Sequence, residues 1–174
     1  MLSLDLARAE GAQRAIIISA TGTGKTILSA LDVRAVSPRR MLFVVHREQI
    51  LDRTIEEYGR VLGGTRSDYG KLTGGARQSD RRYVFATIQT LSQPQVLSGL
   101  VPDAFDYVVI DEAHRAGAAG YQRVIDYLKP DFLLGMTATP ERMDGFNVFE
   151  LFDYNELNGR ACWDRPSSPA TSSS

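Results

Sequence analysis

The chain has 174 residues, of which 43% are hydrophobic and 24% are charged, the balance of one soluble globular domain. Its formal net charge of −1 argues against a dedicated nucleic-acid-binding domain, because such domains are usually strongly basic. No apolar run approaches the roughly 20 residues of a membrane span, and the N-terminus carries no secretory signal. The single cysteine excludes an internal disulfide. We therefore expect a cytoplasmic protein.

Short apolar runs alternate along the chain with amphipathic stretches. Five runs are nearly continuous and rich in Val, Ile and Phe, which is typical of parallel strands covered on both faces. They lie at 15–19, 41–46, 83–88, 107–111 and 132–138. Helices are predicted from Lys25 to Val36, from Arg47 to Leu62 and from Tyr121 to Leu128, since a nearby proline or glycine ends each one. The alternation predicts an α/β fold, a mostly parallel sheet with helices on both faces.

Two segments depart from this alternation. Residues 63–80 are polar and glycine-rich, and we expect loops there around one short strand near Tyr69 to Thr73. From about Asn155 the pattern fails, and the end of the chain, RPSSPATSSS, has too little apolar content to fold. We therefore predict one domain over 1–154 and a disordered tail over 155–174.

The first strand leads into a glycine-containing loop, SATGTGKT, at 19–26, and a helix follows directly. Gly22 and Gly24 let the backbone curl so that its N–H groups point at phosphate oxygens, and the positive helix N-terminus lies at the same place. Lys25 is expected to reach the β- and γ-phosphates of ATP, and the Thr26 hydroxyl is expected to ligate Mg²⁺. The predicted ATP site comprises Ser19, Ala20, Thr21, Gly22, Thr23, Gly24, Lys25 and Thr26. Ser19 stands where the usual pattern has glycine, and the alternative is a glycine turn that only caps a helix.

A second signal is the acidic pair at the end of the fourth strand, in YVVIDEAH at 107–114. Ligands of open parallel sheets bind at this carboxyl edge. Asp111 can hold Mg²⁺, and Glu112 can orient and deprotonate an attacking water, so Lys25, Asp111 and Glu112 are the predicted catalytic residues. The alternative is that the pair only caps the next helix.

These motifs resemble those of superfamily-2 DEAD/DEAH helicases, and the sequence around them is most similar to the type III restriction-subunit class of these helicases. The resemblance covers residues 13 to about 154, and it is carried by Asp111-Glu112-Ala113-His114, Met136-Thr137-Ala138-Thr139-Pro140, Val45-His46-Arg47, Thr73-Gly74-Gly75 and Thr87-Ile88-Gln89-Thr90-Leu91. It implies a RecA-like P-loop NTPase fold, the first lobe of a two-lobed motor that uses ATP and Mg²⁺.

Further roles follow from the resemblance alone. It implies that His114, Thr137, Ala138 and Thr139 couple the ATP site to a nucleic-acid groove. It also implies backbone contacts with nucleic acid, DNA in preference to RNA, through His46, Arg47, Gly74, Thr87 and Gln89. The alternatives are that His46 is a buried strand-end residue and that Thr87 is a helix N-cap.

The chain also departs from that family. No segment before Gln13 clearly matches the glutamine-bearing stretch that reads adenine, and the resemblance stops near Tyr154, before the second RecA-like lobe with its arginine fingers. We expect an ATP-binding lobe of a nucleic-acid-dependent ATPase or helicase, a truncated fragment with little activity alone, whose second lobe could belong to another chain. An apolar patch is expected from Thr137 to Phe149, where that lobe would pack. The alternatives are a non-catalytic nucleotide-binding remnant or interaction module, and a small-molecule kinase, which would have no need of the DEAH and TATP motifs.

Overall fold

The computed structural model describes residues 2–20, 24–138, 148–152, 154–157 and 160–162. Several predicted features lie outside the described residues: Thr21, Gly22 and Thr23 of the phosphate loop, the coupling residue Thr139, most of the expected apolar patch, and the end of the chain from 163 onward.

Within the described residues, nine strands form one sheet in the order β4-β3-β5-β2-β6-β7-β1-β8-β9. Seven of them, from β3 across to β8, run parallel, while β4 and β9 add antiparallel edges. The strands are β1 (Arg14–Ile18), β2 (Met41–Val45), β3 (Tyr69–Thr73), β4 (Ala76–Arg77), β5 (Tyr83–Thr87), β6 (Tyr107–Asp111), β7 (Phe132–Thr137), β8 (Tyr154–Leu157) and β9 (Arg160–Cys162). The mostly parallel sheet confirms the predicted fold class, and β3 is the short strand expected in the polar segment.

Helix α1 precedes β1, and the other helices lie in the connections between strands. They are α1 (Leu2–Ala9), α2 (Lys25–Val36), α3 (Leu51–Leu62), α4 (Ile88–Leu91), α5 (Pro94–Leu97) and α6 (Ala119–Tyr127). Short 3-10 turns lie at Glu48–Ile50, Arg66–Asp68, Ala113–Arg115 and Val148–Leu151. Helix α2 has the predicted bounds, whereas the second predicted helix begins as a 3-10 turn and becomes α-helical only at Leu51. None of the described helices is long and apolar enough to cross a bilayer.

Two hydrophobic cores lie on opposite faces of the sheet, because successive strand residues point to opposite sides. In β2, Leu42 and Val44 belong to the core beneath α4 to α6, and Phe43 and Val45 belong to the core beneath α1 to α3. Every residue of β2 is therefore buried. This double burial explains why the strands read as continuous apolar runs.

Beyond Tyr154 the backbone continues the sheet. Strand β8 pairs in parallel with β1, and β9 pairs antiparallel with β8. Ladder hydrogen bonds need no apolar periodicity, so a segment without a clear sequence pattern can still extend a sheet. The domain boundary at 154 stays a prediction.

Candidate functional site

The phosphate loop lies where β1 ends and α2 begins. The Ser19 backbone N–H donates to the Thr137 carbonyl at 3.0 Å, which continues the β1–β7 pairing past Ile18. Gly24 precedes α2 with φ 77°, a left-handed conformation that favours glycine. Both described ends of the loop are thus fixed at the carboxyl edge of the sheet, the edge at which such sheets bind ligands.

Lys25, the first residue of α2, folds its side chain back over the loop. Its Nζ donates to the carbonyl oxygens of Ser19 at 2.7 Å and of Ala20 at 2.9 Å. Burial lowers the pKa of Lys25, and the nearby Asp111 carboxylate opposes that change. Because its hydrogen-bond partners are neutral carbonyls, the ammonium keeps a charge that an anionic phosphate can pair with.

Asp111 ends β6, which is separated from β1 by β7 alone. Burial raises the pKa of its carboxyl group, and the neighbouring Glu112 adds to that effect. The Glu112 backbone N–H, which donates to Asp111 Oδ1 at 2.9 Å, opposes it, as do the charges of Lys25 and His114. A partly desolvated carboxylate of this kind fits a divalent cation, which prefers oxygen ligands and would stabilise its ionised form.

Glu112 adopts a left-handed backbone conformation, with φ 54° and ψ 47°. Such a conformation costs a non-glycine residue roughly 1–2 kcal/mol, and strain of this kind clusters at functional sites. Glu112 precedes the turn Ala113–Arg115, but its side chain forms no capping hydrogen bond. Instead its carboxylate accepts a hydrogen bond from Arg115 Nε at 3.1 Å. The capping alternative therefore does not account for this side chain.

The predicted coupling residues that the structure describes lie beside this acidic pair. His114 Nδ1 and Thr137 Oγ1 are 3.1 Å apart, which joins the turn after β6 to the end of β7. Thr137 is buried, and the adjacent Ala138 is half-buried. The same Thr137 residue accepts the Ser19 backbone hydrogen bond, so one residue contacts both the phosphate loop and the DEAH turn.

The predicted nucleic-acid residues lie at or just after the ends of strands that finish at this same edge. Gln89 Nε2 donates to the His46 carbonyl at 2.8 Å, which links the segments after β5 and β2. The side chains of Arg47 and Gln89 are exposed, as is Gly74 in the turn between β3 and β4. Thr87 differs, because it is 4% exposed and its hydroxyl donates to Thr90 Oγ1 at 3.1 Å. It occupies the N-cap position of α4 without a side-chain capping hydrogen bond.

Sequence reasoning missed a group of buried polar side chains on the sheet-facing side of α2. Ser29 and Asp32 are both almost fully buried, and their partners come from α1, α3 and β6. The available signal was the presence of two polar residues at the buried positions of a helix that directly follows the phosphate loop.

Comparison with known proteins places these features in a family. A sequence model of the family described as "Type III restriction enzyme, res subunit" matches residues 2–142. The Type I restriction enzyme EcoAI endonuclease subunit of Escherichia coli is 28% identical over 144 residues, which cover 75% of this chain and 17% of that protein. The chain spans between 17% and 32% of the length of the four curated relatives that it matches.

Solved structures share the fold. The Hef helicase domain of Pyrococcus furiosus superposes with a TM-score of 0.73 at 19% identity, covering 90% of this chain and 37% of that one. A nuclease-deletion mutant of the Type ISP restriction-modification enzyme LlaGI, in complex with a DNA substrate mimic, superposes with a TM-score of 0.61 at 20% identity, covering 90% and 16%. The fold is that of a RecA-like helicase domain.

Proposed function

Since this chain belongs to the type III restriction enzyme res subunit family, we propose that it is the ATP-binding lobe of a nucleic-acid-dependent ATPase or helicase. The observation that carries the proposal is the meeting of Lys25, from the start of α2, and Asp111, from the end of β6, at one edge of the parallel sheet. A cation for the phosphates and a carboxylate for a metal ion are the two groups that phosphoryl transfer draws from such a lobe.

The residues of the site then take separate roles. Lys25 pairs with the phosphate oxygens, and the N-terminus of α2 adds its positive end. Thr26 and Asp111 would hold Mg²⁺, which when bound neutralises charge on the phosphates. Glu112 orients the attacking water and accepts its proton, while its Oε2 accepts the hydrogen bond from Arg115.

Coupling to nucleic acid runs along the same edge. His114 and Thr137 join the acidic turn to β7, while His46, Arg47 and Gln89 present polar groups to a strand backbone. DNA is favoured over RNA, because the EcoAI relative is a restriction-enzyme subunit and the LlaGI neighbour was solved with a DNA substrate mimic. Full motor activity draws on residues beyond these 174, since the relatives are several times longer.

Calorimetric titration with ADP and Mg²⁺ tests the assignment. Lys25→Ala should abolish most of the binding, because the ammonium is the charged group of the loop. Lys129→Ala is the control, since Lys129 is exposed, precedes β7 at the opposite edge of the sheet, and has an ammonium that donates to the Asp126 carbonyl. Equal affinities for the wild type and Lys25→Ala would contradict the proposal.

A further inference from the structure

Two of the four buried residues of helix α2 are polar. Ser29 is 0% exposed and Asp32 is 1% exposed, whereas the buried face of a helix packed on an apolar sheet is usually hydrophobic. Buried polar groups are kept only where their hydrogen bonds are satisfied, so the partners of these two residues show what the arrangement does.

Asp32 receives three hydrogen bonds from two elements. Arg8 of α1 donates from Nη1 at 2.9 Å to Oδ2 and from Nη2 at 2.7 Å to Oδ1, a bidentate pair. The hydroxyl of Tyr107, the first residue of β6, donates to Oδ2. The carboxylate is therefore satisfied without water, and it joins α2 directly to β6.

Ser29 forms a second connection, to α3. Its hydroxyl donates to the Thr26 carbonyl at 2.9 Å and lies 2.7 Å from the Tyr58 hydroxyl. Since the serine hydroxyl has one hydrogen, which it gives to Thr26, the Tyr58 hydroxyl is the donor of the other bond. Tyr58 is itself fixed, because it packs edge-on against Phe43 and Phe85 with ring centroids 5.3 Å away in each case.

Both connections are made by α2, the helix that begins at the proposed nucleotide site. Helix α2 carries Lys25 and Thr26 at its start, and β6 runs from Tyr107 to Asp111. Apolar contacts between a helix and a sheet are non-directional and allow small sliding movements, whereas hydrogen bonds fix the relative position. A metal ion shared by Thr26 and Asp111 needs that position to be held closely.

We propose that Tyr107 and Tyr58 are positioning residues that hold α2 in the place, relative to β6, at which Thr26 and Asp111 can ligate one metal ion. The inference rests on the proposed function of the site. The hydroxyl of Tyr107 contacts Asp32 and that of Tyr58 contacts Ser29, so both tyrosines would act through these residues of α2.

The test compares ADP affinity in Mg²⁺ with ADP affinity in EDTA, by calorimetry well below the melting temperature. Tyr107→Phe and Tyr58→Phe each remove one hydroxyl and keep the ring. Tyr127→Phe is the control, since its hydroxyl likewise donates one hydrogen bond, to the Leu100 carbonyl at 2.6 Å, but lies on α6 away from α2.

We expect the affinity gain from Mg²⁺ to fall by about tenfold in Tyr107→Phe, because removal of a group that orients a metal ligand typically costs 10–100-fold in metal affinity. Tyr58→Phe should lower it in the same direction, and metal-free affinity should stay within about twofold in both, since the phosphate loop itself is intact. Tyr127→Phe should keep the wild-type gain.

If Mg²⁺ raises ADP affinity in both variants as much as in the wild type, this inference is wrong and the proposed function still stands. That conclusion holds even if the melting temperatures of the variants fall as far as that of Tyr127→Phe. Absence of nucleotide binding by the wild-type chain would overturn the proposed function and this inference with it. If Tyr107→Phe does not fold, Tyr58→Phe decides between the same two results.

Discussion

Asp111 illustrates the conflict between stability and function at a single residue. Its carboxylate is held at a partly buried strand end, where burial raises its pKa and the Glu112 charge adds to the effect. The folded state therefore carries an electrostatic cost whenever this group is ionised, a cost that a bound cation would offset.

We predict that Asp111→Asn raises the melting temperature of the metal-free chain at neutral pH by a few degrees, because asparagine keeps the shape and removes the charge. The direction of this change follows from the pH dependence of stability. Because the pKa of Asp111 is raised in the folded state, its ionised carboxylate destabilises the fold above that pKa, and the destabilisation disappears as the pH falls through it. Differential scanning calorimetry in EDTA at neutral and at acidic pH measures the difference, which should shrink in acid. A lower melting temperature for the variant at neutral pH would show that the carboxylate is stabilised by contacts.

The sequence predicts which charged residues belong to the candidate site, but it does not predict the contacts around them. The GKT and DEAH sequences point to Lys25, Asp111 and Glu112, because the order strand, loop and helix is required by the phosphate chemistry. No such rule brings Gln89 to the His46 carbonyl or turns the Thr87 hydroxyl inward to Thr90. Those contacts depend on the spacing of neighbouring strands, which a single sequence does not reveal.

At the scale of elements, strand β7 contains a close contact that only glycine allows. A Cβ on Gly135 would lie 2.4 Å from Phe152 Cζ and 3.1 Å from the Ala113 Cβ. Phe152 is 5% exposed and belongs to the core on this face, so its ring has little room to move. Gly135 thus lets the Phe152 ring pack directly on the sheet.

We predict that Gly135→Ala lowers the free energy of unfolding by about 1–3 kcal/mol, the usual cost of overpacking a core. Gly59→Ala in α3 is the control, since nothing lies within 4 Å of its Cβ position and alanine should stabilise a helix by about 0.4–1 kcal/mol. Urea denaturation measures both. The double variant Gly135→Ala, Phe152→Leu should recover part of the loss, and equal stability of Gly135→Ala and the wild type would show that the ring moves freely.

Helix α1 is fixed through a buried charge. Arg8 forms the bidentate pair with Asp32, and its guanidinium lies 4.8 Å from the centre of the Phe132 ring. We predict that Arg8→Ala costs about 3 kcal/mol, because it leaves the Asp32 carboxylate buried without its cation. Arg34→Ala should stay within about 0.5 kcal/mol, since that side chain is exposed.

A double-mutant cycle with Asp32→Asn separates charge from packing. The loss in Arg8→Ala, Asp32→Asn should be smaller than the sum of the two single losses, since the uncompensated charge is then absent. Additive losses, measured by urea denaturation, would contradict the assignment of the cost to Asp32.

For the molecule as a whole, the parallel sheet was predictable and its edges were not. The five doubly buried strands read as apolar runs, and their observed bounds differ from the predicted ones by at most one residue at either end. Strands β4, β8 and β9 and helix α1 are not among the predicted elements. They lie at the edges of the sheet or before its first strand, where backbone pairing or one ion pair holds them and no apolar alternation marks them in the sequence.

On the proposed function, catalysis draws on residues beyond these 174. Phosphoryl transfer needs charge compensation at the γ-phosphate from several sides. In the proposed site, Lys25 and a metal ion held by Thr26 and Asp111 would provide it from one lobe, and Arg115 is paired with Glu112. The curated relatives are several times longer, which leaves room for a second lobe with an arginine finger.

We therefore predict that the 174-residue chain binds nucleotide but hydrolyses ATP barely above background, with or without DNA. An arginine finger is worth on the order of 10³–10⁵ in rate, which corresponds to roughly 4–7 kcal/mol of barrier. Glu112→Gln should change this low rate little, because activation of the water cannot be limiting while the charge on the γ-phosphate is uncompensated. The same substitution should lower the rate severely once a second lobe is joined or added. Phosphate release assays on both forms, with single- and double-stranded DNA, measure these rates. Rapid DNA-stimulated ATP hydrolysis by the chain alone, lost in Glu112→Gln, would contradict the prediction. Nucleotide binding without DNA-stimulated hydrolysis, even with a second lobe present, would favour a non-catalytic remnant.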